Sequence, residues 1–225
     1  KPRAQTLRQC TSAAASRAVA AVWQAAEIDV EASVIAAVSR RWRYDGRNVE
    51  GVMRLSHIRF VHAADLHLDS PFAGFSASAP AHVAATLRDA TFDVYDAIIE
   101  LCLNEHVDAL LVAGDIYDAS DKSLRAQLHF LRGLERLSAA GIRSFVCHGN
   151  HDPLDGWEAG FPVPATCHRF TGEIEAVPLD PADPGRAMVY GYSYPRQRVH
   201  ENIARRFKRN DDAAFAIGLL HCNVG

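Results

Sequence analysis

Asp65-Leu66-His67, Gly114-Asp115-Ile116-Tyr117-Asp118, Gly149-Asn150-His151-Asp152 and the single His221 are the clusters in this 225-residue chain whose side chains could do chemistry together. Carboxylate, imidazole and amide oxygen suit divalent ions of intermediate hardness, such as Mn²⁺, Fe²⁺ or Zn²⁺. A carboxylate has two oxygens, so one Asp can bridge two cations. Two cations ~3.5–4 Å apart can clamp a phosphoryl group and acidify a water molecule, which is what phosphoester hydrolysis needs. Asp-x-His puts both side chains on one side of an extended segment, because side chains alternate with period two. Gly114 and Gly149 let the backbone turn tightly and carry the next residue inward. Each cluster alone is ordinary. A Gly-Asp after a strand is usually a turn, Asn-His-Asp can be a helix cap or an Asx-turn, and a histidine after a strand is usually structural. Four in order are a far stronger signal than one short motif.

The elements that must position them follow from the pattern of apolar residues. Residues 58–64 (IRFVHAA), 107–113 (VDALLVA), 143–147 (RSFVC), 188–192 and 215–220 are predicted strands. Residues 81–105 have helical spacing, with Val83, Leu87, Phe92, Tyr95, Ile98, Ile99 and Leu103 on one broad face. Residues 122–140 are predicted helical, with Gly141 as the stop. The Pro- and Gly-rich stretch 162–185 reads as loops with short strands. Alternating β and α with short connections argues for an α/β fold, a layered β-sheet core flanked by helices. Every cluster falls immediately after a predicted strand. In open α/β sheets ligands gather at the C-terminal ends of strands, so clusters distant in sequence can converge there.

The order D-x-H, G-D-x-x-D, G-N-H-D and a strand ending in His resembles the calcineurin-like metallophosphoesterase superfamily. Within it, FVHAADLHLDSPF, LLVAGDIYD, CHGNHDP and LLHCNVG are similar to the bacterial SbcD/YhaO-type DNA repair exonucleases. The resemblance covers residues 53–225. It implies that Asp65 and His67 bind one metal, that Asp115 bridges two, and that Asn150 and His221 bind the second. It implies that His151 is the catalytic acid over the phosphate and that Asp152 orients it. Asp118 is as readily a turn residue. His62, His148 and Cys222 match no ligand position. The family also carries a later His-x-His motif with one ligand for each metal. No His-x-His occurs in this chain, which stops four residues after His221. The domain is therefore expected to be C-terminally truncated and to bind metal weakly in this form.

The resemblance further implies two divalent ions, with Mn²⁺ expected and Fe²⁺ or Zn²⁺ as alternatives, a DNA substrate, and an SMC-like ATPase partner. Residue types alone leave a small-molecule phosphatase or nucleotide phosphodiesterase open, and also a non-catalytic domain that keeps only part of the site. Arg196, Arg198, Arg205, Arg206, Lys208 and Arg209 follow Tyr190, Tyr192 and Tyr194. Such a stretch can track a nucleic-acid strand or be a solvated face. Substrate-binding residues cannot be assigned. Net charge is −3 and uneven, with 8 basic against 5 acidic residues in 1–52 and 16 against 22 in 53–225. An acidic domain does not advertise nucleic-acid binding, although a carboxylate metal site is acidic before its cations bind. The hydrophobic share of 48% is that of a globular protein, and no apolar run is long enough to span a membrane. Five cysteines (Cys10, Cys102, Cys147, Cys167 and Cys222) form no C-x-x-C pair, which suits free thiols in a reducing cytoplasm. Residues 1–52 form a separate extension, with a helical reading for 11–41. They are expected to lie upstream of a start at Met53, with a partner-binding helix as the alternative.

Overall fold

The computed structural model describes residues 58–70, 81–118, 123–156, 158–209 and 212–222, with a two-residue strand at 37–38. Side chains are described from residue 58 onwards within these segments, except for 81–88. Four strands run parallel in one sheet: β2 (Phe60–Ala63), β3 (Ala109–Ala113), β4 (Arg143–Cys147) and β5 (Cys167–Arg169). β1 (Ala37–Val38) pairs antiparallel with the outer edge of β2, giving the order β1-β2-β3-β4-β5. A second sheet has the order β6 (Glu175–Pro178), β7 (Ala187–Tyr192) and β8 (Phe215–Leu220). In it β6 and β7 are antiparallel, while β7 and β8 are parallel. α1 (Ala81–Asn104) connects β2 to β3, and α2 (Leu124–Ala139) connects β3 to β4.

Alternation along β3 explains the layering. Every residue of this strand is buried. Leu110 and Val112 face the helices and pack with Tyr95, Ile99, Phe130, Leu134 and Leu137. Ala109, Leu111 and Ala113 face the other way and pack with Phe145, Phe170, Val189 and Leu219 under the second sheet. A strand covered on both faces must be apolar at every position, which is why ALLVA reads as a continuous run rather than an alternating one. The molecule is thus helices, parallel sheet, second sheet, as the α/β reading expects.

Local sequence sets the helix ends. The hydroxyl oxygen of Ser123 accepts from the Ala126 N–H at 2.9 Å, the N-cap bond that starts α2 two residues later than the spacing predicts. Its last turn closes at Gly141, which has φ +74°. The helices approach closely where Tyr95 lies against Gly133, and the Tyr95 hydroxyl donates to the Phe130 carbonyl at 2.8 Å. On the solvent side Arg125 pairs with Asp89, His129 with Asp96, and Arg136 with Glu100.

Within the stretch 11–41, read from the sequence as helical, Ala37–Val38 pair as a strand with the outer edge of β2. The rest of that stretch lies outside the described residues.

Candidate metal centre

The centre is built from the loops that leave β2, β3, β4 and β8. The loop after β2 is bonded to the loop after β3. The N–H groups of Asp65, His67 and Leu68 donate to the carbonyls of Gly114, Asp115 and Ile116 at 3.1, 3.0 and 2.9 Å. The backbone there is contorted: Asp65, His67, Asp69 and Asp115 have φ of 54°, 41°, 63° and 51°. Side-chain-bearing residues in this left-handed region each cost about 1–3 kcal/mol and persist only where surrounding bonds hold them. Gly114, at φ +81°, has no room for a side chain, since an added Cβ would stand 2.7 Å from the Cβ of His221. An added Cβ on Gly149 would stand 2.1 Å from Asp115 Oδ1. These two glycines let three loops meet.

Asp115 lies at the centre and is almost fully buried. One oxygen, Oδ1, accepts from the His151 N–H at 3.0 Å. The other, Oδ2, lies 3.4 Å from His221 Nε2 and 3.9 Å from His67 Nε2, between the two imidazoles. Asp65, His67 and Asp115 offer ligand atoms within 4.8 Å of one another. On the other side, Asn150 Oδ1 is 3.0 Å from His221 Nε2. His221 Nδ1 is 3.0 Å from the carbonyl of Ala113, which can only accept, so Nδ1 carries the proton and Nε2 presents a lone pair. Nε2, Asn150 Oδ1 and Asp115 Oδ2 are then three electron-pair donors aimed at one place. Burial raises the Asp115 pKa, opposed chiefly by the hydrogen bond from the His151 N–H. A buried carboxylate facing lone pairs is stabilised by a cation, so the donor set fits divalent metals.

His151 stands at the mouth. Its ring meets the His67 ring edge-on, with centroids 5.2 Å apart. Burial pulls its pKa down, but the 2.8 Å bond from Nδ1 to Asp118 Oδ1 and the charges of Asp115, Asp118 and Asp152 outweigh this and raise it. The carboxylate on His151 is therefore Asp118. Asp152, expected to orient His151, bonds the backbone around it. The fully buried Asp152 carboxylate accepts from the N–H groups of Asp115, Ile116 and Gly149 at 3.1, 3.0 and 2.6 Å. With these three backbone donors, and His148 Nδ1 3.4 Å from Oδ2, it clamps the β3 and β4 loops to each other.

The described residues thus bring Asp65, His67, Asp115, Asn150, His151 and His221 into one centre, with Asp152 directly beneath. A calcineurin-like phosphoesterase family model matches residues 58–215. The chain belongs to the calcineurin-like phosphoesterase family. This makes it a phosphoester hydrolase by family. A Bacillus subtilis (strain 168) protein named uncharacterized metallophosphoesterase YhaO is 42% identical over 171 residues, covering 74% of this chain and 41% of the relative. An SbcCD nuclease subunit from Rhodobacter capsulatus is 32% identical over 156 residues, 62% of this chain and 36% of the relative. The DNA double-strand break repair protein Mre11 of Sulfurisphaera tokodaii is 28% identical over 134 residues, 58% of this chain and 34% of the relative. The chain spans well under half the length of each.

Around this phosphoesterase centre, sequence reasoning left Asp118 undecided and did not single out Asp69. The signal for Asp118 was its place three residues after Asp115; nothing local marks Asp69. Tyr194 also reaches the centre, its ring edge-on to His221 at 5.8 Å. Cys102 and Cys147 are buried and their thiols pushed up to about 12 by that burial, while Cys222 beside His221 is exposed. No helix among the described residues is long and apolar enough to cross a membrane.

Proposed function

We propose that the chain carries the catalytic centre of a two-metal DNA phosphodiesterase of exonuclease type. The observation that carries this reading is Asp115 Oδ2 set between His67 Nε2 and His221 Nε2, with the His151–Asp118 pair beside it. Asp65, His67 and Asp115 would hold one divalent ion, and Asp115, Asn150 and His221 the other. Bound divalent cations supply charge neutralisation at the phosphoryl group and acidification of water. The chain itself supplies the rest. His151, with Nδ1 bonded to Asp118, turns Nε2 towards the substrate and gives a proton to the departing oxygen. Asp118 fixes that ring and favours its charged form. Asp152 keeps Asn150 and Asp115 at constant separation by tying their loops together.

DNA is favoured over a small phosphoester by two features. Relatives named for the SbcCD nuclease and for DNA double-strand break repair are 32% and 28% identical to this chain over 156 and 134 residues. Leading away from the centre, half-buried Tyr194 is followed by exposed Arg196 and Arg198, and then by Arg205 and Arg206 around a 3₁₀ turn, Ile203–Arg206. Aromatic and basic groups in that order suit base stacking and phosphate contact. Mn²⁺ is the expected metal, with Fe²⁺ or Zn²⁺ as alternatives. An SMC-like ATPase is the expected partner, in keeping with a relative whose name makes it one part of a larger nuclease, SbcCD. A reducing cytoplasm fits the unpaired thiols.

The test is Mn²⁺-dependent hydrolysis of linear DNA, bis-p-nitrophenyl phosphate and p-nitrophenyl phosphate, compared in this chain and in one continued to the length of its relatives. Release of nucleotides from DNA ends is the expected result. Cleavage confined to the monoester would leave a small-molecule phosphatase in place of the nuclease.

A further inference from the structure

We propose that Asp69 is a positioning residue that holds the loop bearing Asp65 and His67 against the start of α2, and so sets the affinity of the metal position those two residues serve. The inference rests on the metal reading given above. Asp69 lies two residues past His67, inside a turn closed by the Ser70 N–H donating to the His67 carbonyl at 3.1 Å. Its backbone is left-handed, a conformation that aspartate reaches more readily than most side-chain-bearing residues but still at a cost that outside bonds offset. Those bonds are present on three sides. The Asp69 N–H donates to Thr91 Oγ1 at 3.1 Å, reaching α1. Asp69 Oδ2 accepts from the Ser123 hydroxyl at 2.6 Å, reaching the N-cap of α2. Asp69 Oδ1 lies 3.6 Å from Arg125 Nη1 in the first turn of the same helix.

The Ser123 hydroxyl is used twice, donating to Asp69 and accepting from the Ala126 N–H. The first turn of α2 carries no acidic residue of its own, so the Asp69 charge is what stands against its exposed N–H groups. Arg125 is steadied over the Phe92 ring, 4.4 Å from its centroid, and by Asp89. At 59% exposure its pairing with Asp69 is screened, so the part-buried 2.6 Å hydroxyl bond is the stronger tether. The loop is therefore fixed at both ends. Its first part is bonded to the β3 loop through the N–H groups of Asp65, His67 and Leu68, and its last part to both helices through Asp69. His67 belongs to the first anchor and lies two residues before the second. Without the second anchor, Asp69 is free to leave the left-handed region and the turn closed on the His67 carbonyl loosens, so the imidazole loses its fixed distance to Asp115.

Asp69→Gly separates tether from strain, because glycine holds a left-handed φ without cost while lacking the carboxylate. Zn²⁺, a diamagnetic ion, is titrated into the wild type, Asp69→Gly and Asp69→Asn, with the His67 and His221 imidazole resonances followed separately. Thermal unfolding in chelator reports the metal-free fold. The expected result is a wild-type melting point in chelator and about 10–100-fold weaker Zn²⁺ uptake reported by His67, with uptake reported by His221 unchanged. Asp69→Asn keeps an oxygen for Ser123 and recovers most of the affinity. Wild-type affinity at both positions in Asp69→Gly overturns the positioning role alone. Equal weakening at both positions, or a lowered melting point in chelator, overturns it in favour of a general structural role. A wild type that takes up no Zn²⁺ overturns the metal reading and this inference together.

Discussion

Asp115 is the residue on which the centre turns, because one of its oxygens lies between the His67 and His221 imidazoles, where the proposed bridge would form. Asp115→Asn removes the charge while keeping the shape, so both metal positions weaken together, and calorimetric Mn²⁺ titration should find neither at wild-type affinity. Loss of only one would refute bridging. In the proposed reaction His151 and Asp118 act on the departing oxygen. His151→Ala is expected to keep its metals and lose about 10²–10⁴-fold in kcat. Asp118→Asn leaves a hydrogen-bond partner without a charge and should lose about tenfold, the scale of a group that orients another. Steady-state rates set against metal content separate these effects. The sequence spells out Asp115 and His151 within motifs. It does not assign Asp118 to His151 in place of Asp152, because both carboxylates lie near the imidazole along the chain or through space. The tertiary structure assigns the partner by turning Asp152 to backbone N–H groups and placing Asp118 Oδ1 2.8 Å from His151 Nδ1.

At the scale of elements, three loops meet because two glycines let them. Gly149→Ala drives a methyl into the Asp115 carboxylate, a fixed group in the centre of the site. The expected outcome is loss of metal uptake that exceeds the loss of stability, measured by Mn²⁺ titration alongside urea unfolding. Gly133→Ala is the contrasting case. There the added methyl meets the buried Tyr95 ring at 2.3 Å from its hydroxyl, far from the metals. Overpacking of this kind costs about 1–3 kcal/mol. Urea unfolding should show that loss, while metal affinity in the folded protein stays unchanged. Strand and helix identities were legible because β3 is continuously apolar and α1 and α2 repeat with helical spacing. The exact start of α2 was not, since Ser123 reads as a cap only once its hydroxyl is seen on the Ala126 N–H.

For the molecule as a whole, the metal-free protein carries a cluster of Asp65, Asp115, Asp118 and Asp152 together with four left-handed residues. Cations that bind the folded form alone stabilise it by mass action. At a hundred times the dissociation constant this amounts to about 2.7 kcal/mol per site. Mn²⁺ should therefore raise the melting temperature of the wild type, chelator should reverse it, and Asp115→Asn should show little rise. An unchanged melting point across saturating Mn²⁺ would count against the centre as a metal site. The split of the core into two hydrophobic clusters shows why the site is held so firmly. β3 is packed from both faces, so the loop that leaves it starts from the most fixed strand of the fold.

By itself, the sequence determined the family, the alternation of strands and helices, and the short motifs at strand ends, because these depend on local spacing and residue type. The tertiary structure alone decided which carboxylate serves which histidine, that Asp69 reaches the cap of α2, and that the strands divide into two sheets. Those outcomes rest on hydrogen bonds between residues 33 to 54 positions apart, and on strand pairing that local periodicity does not encode.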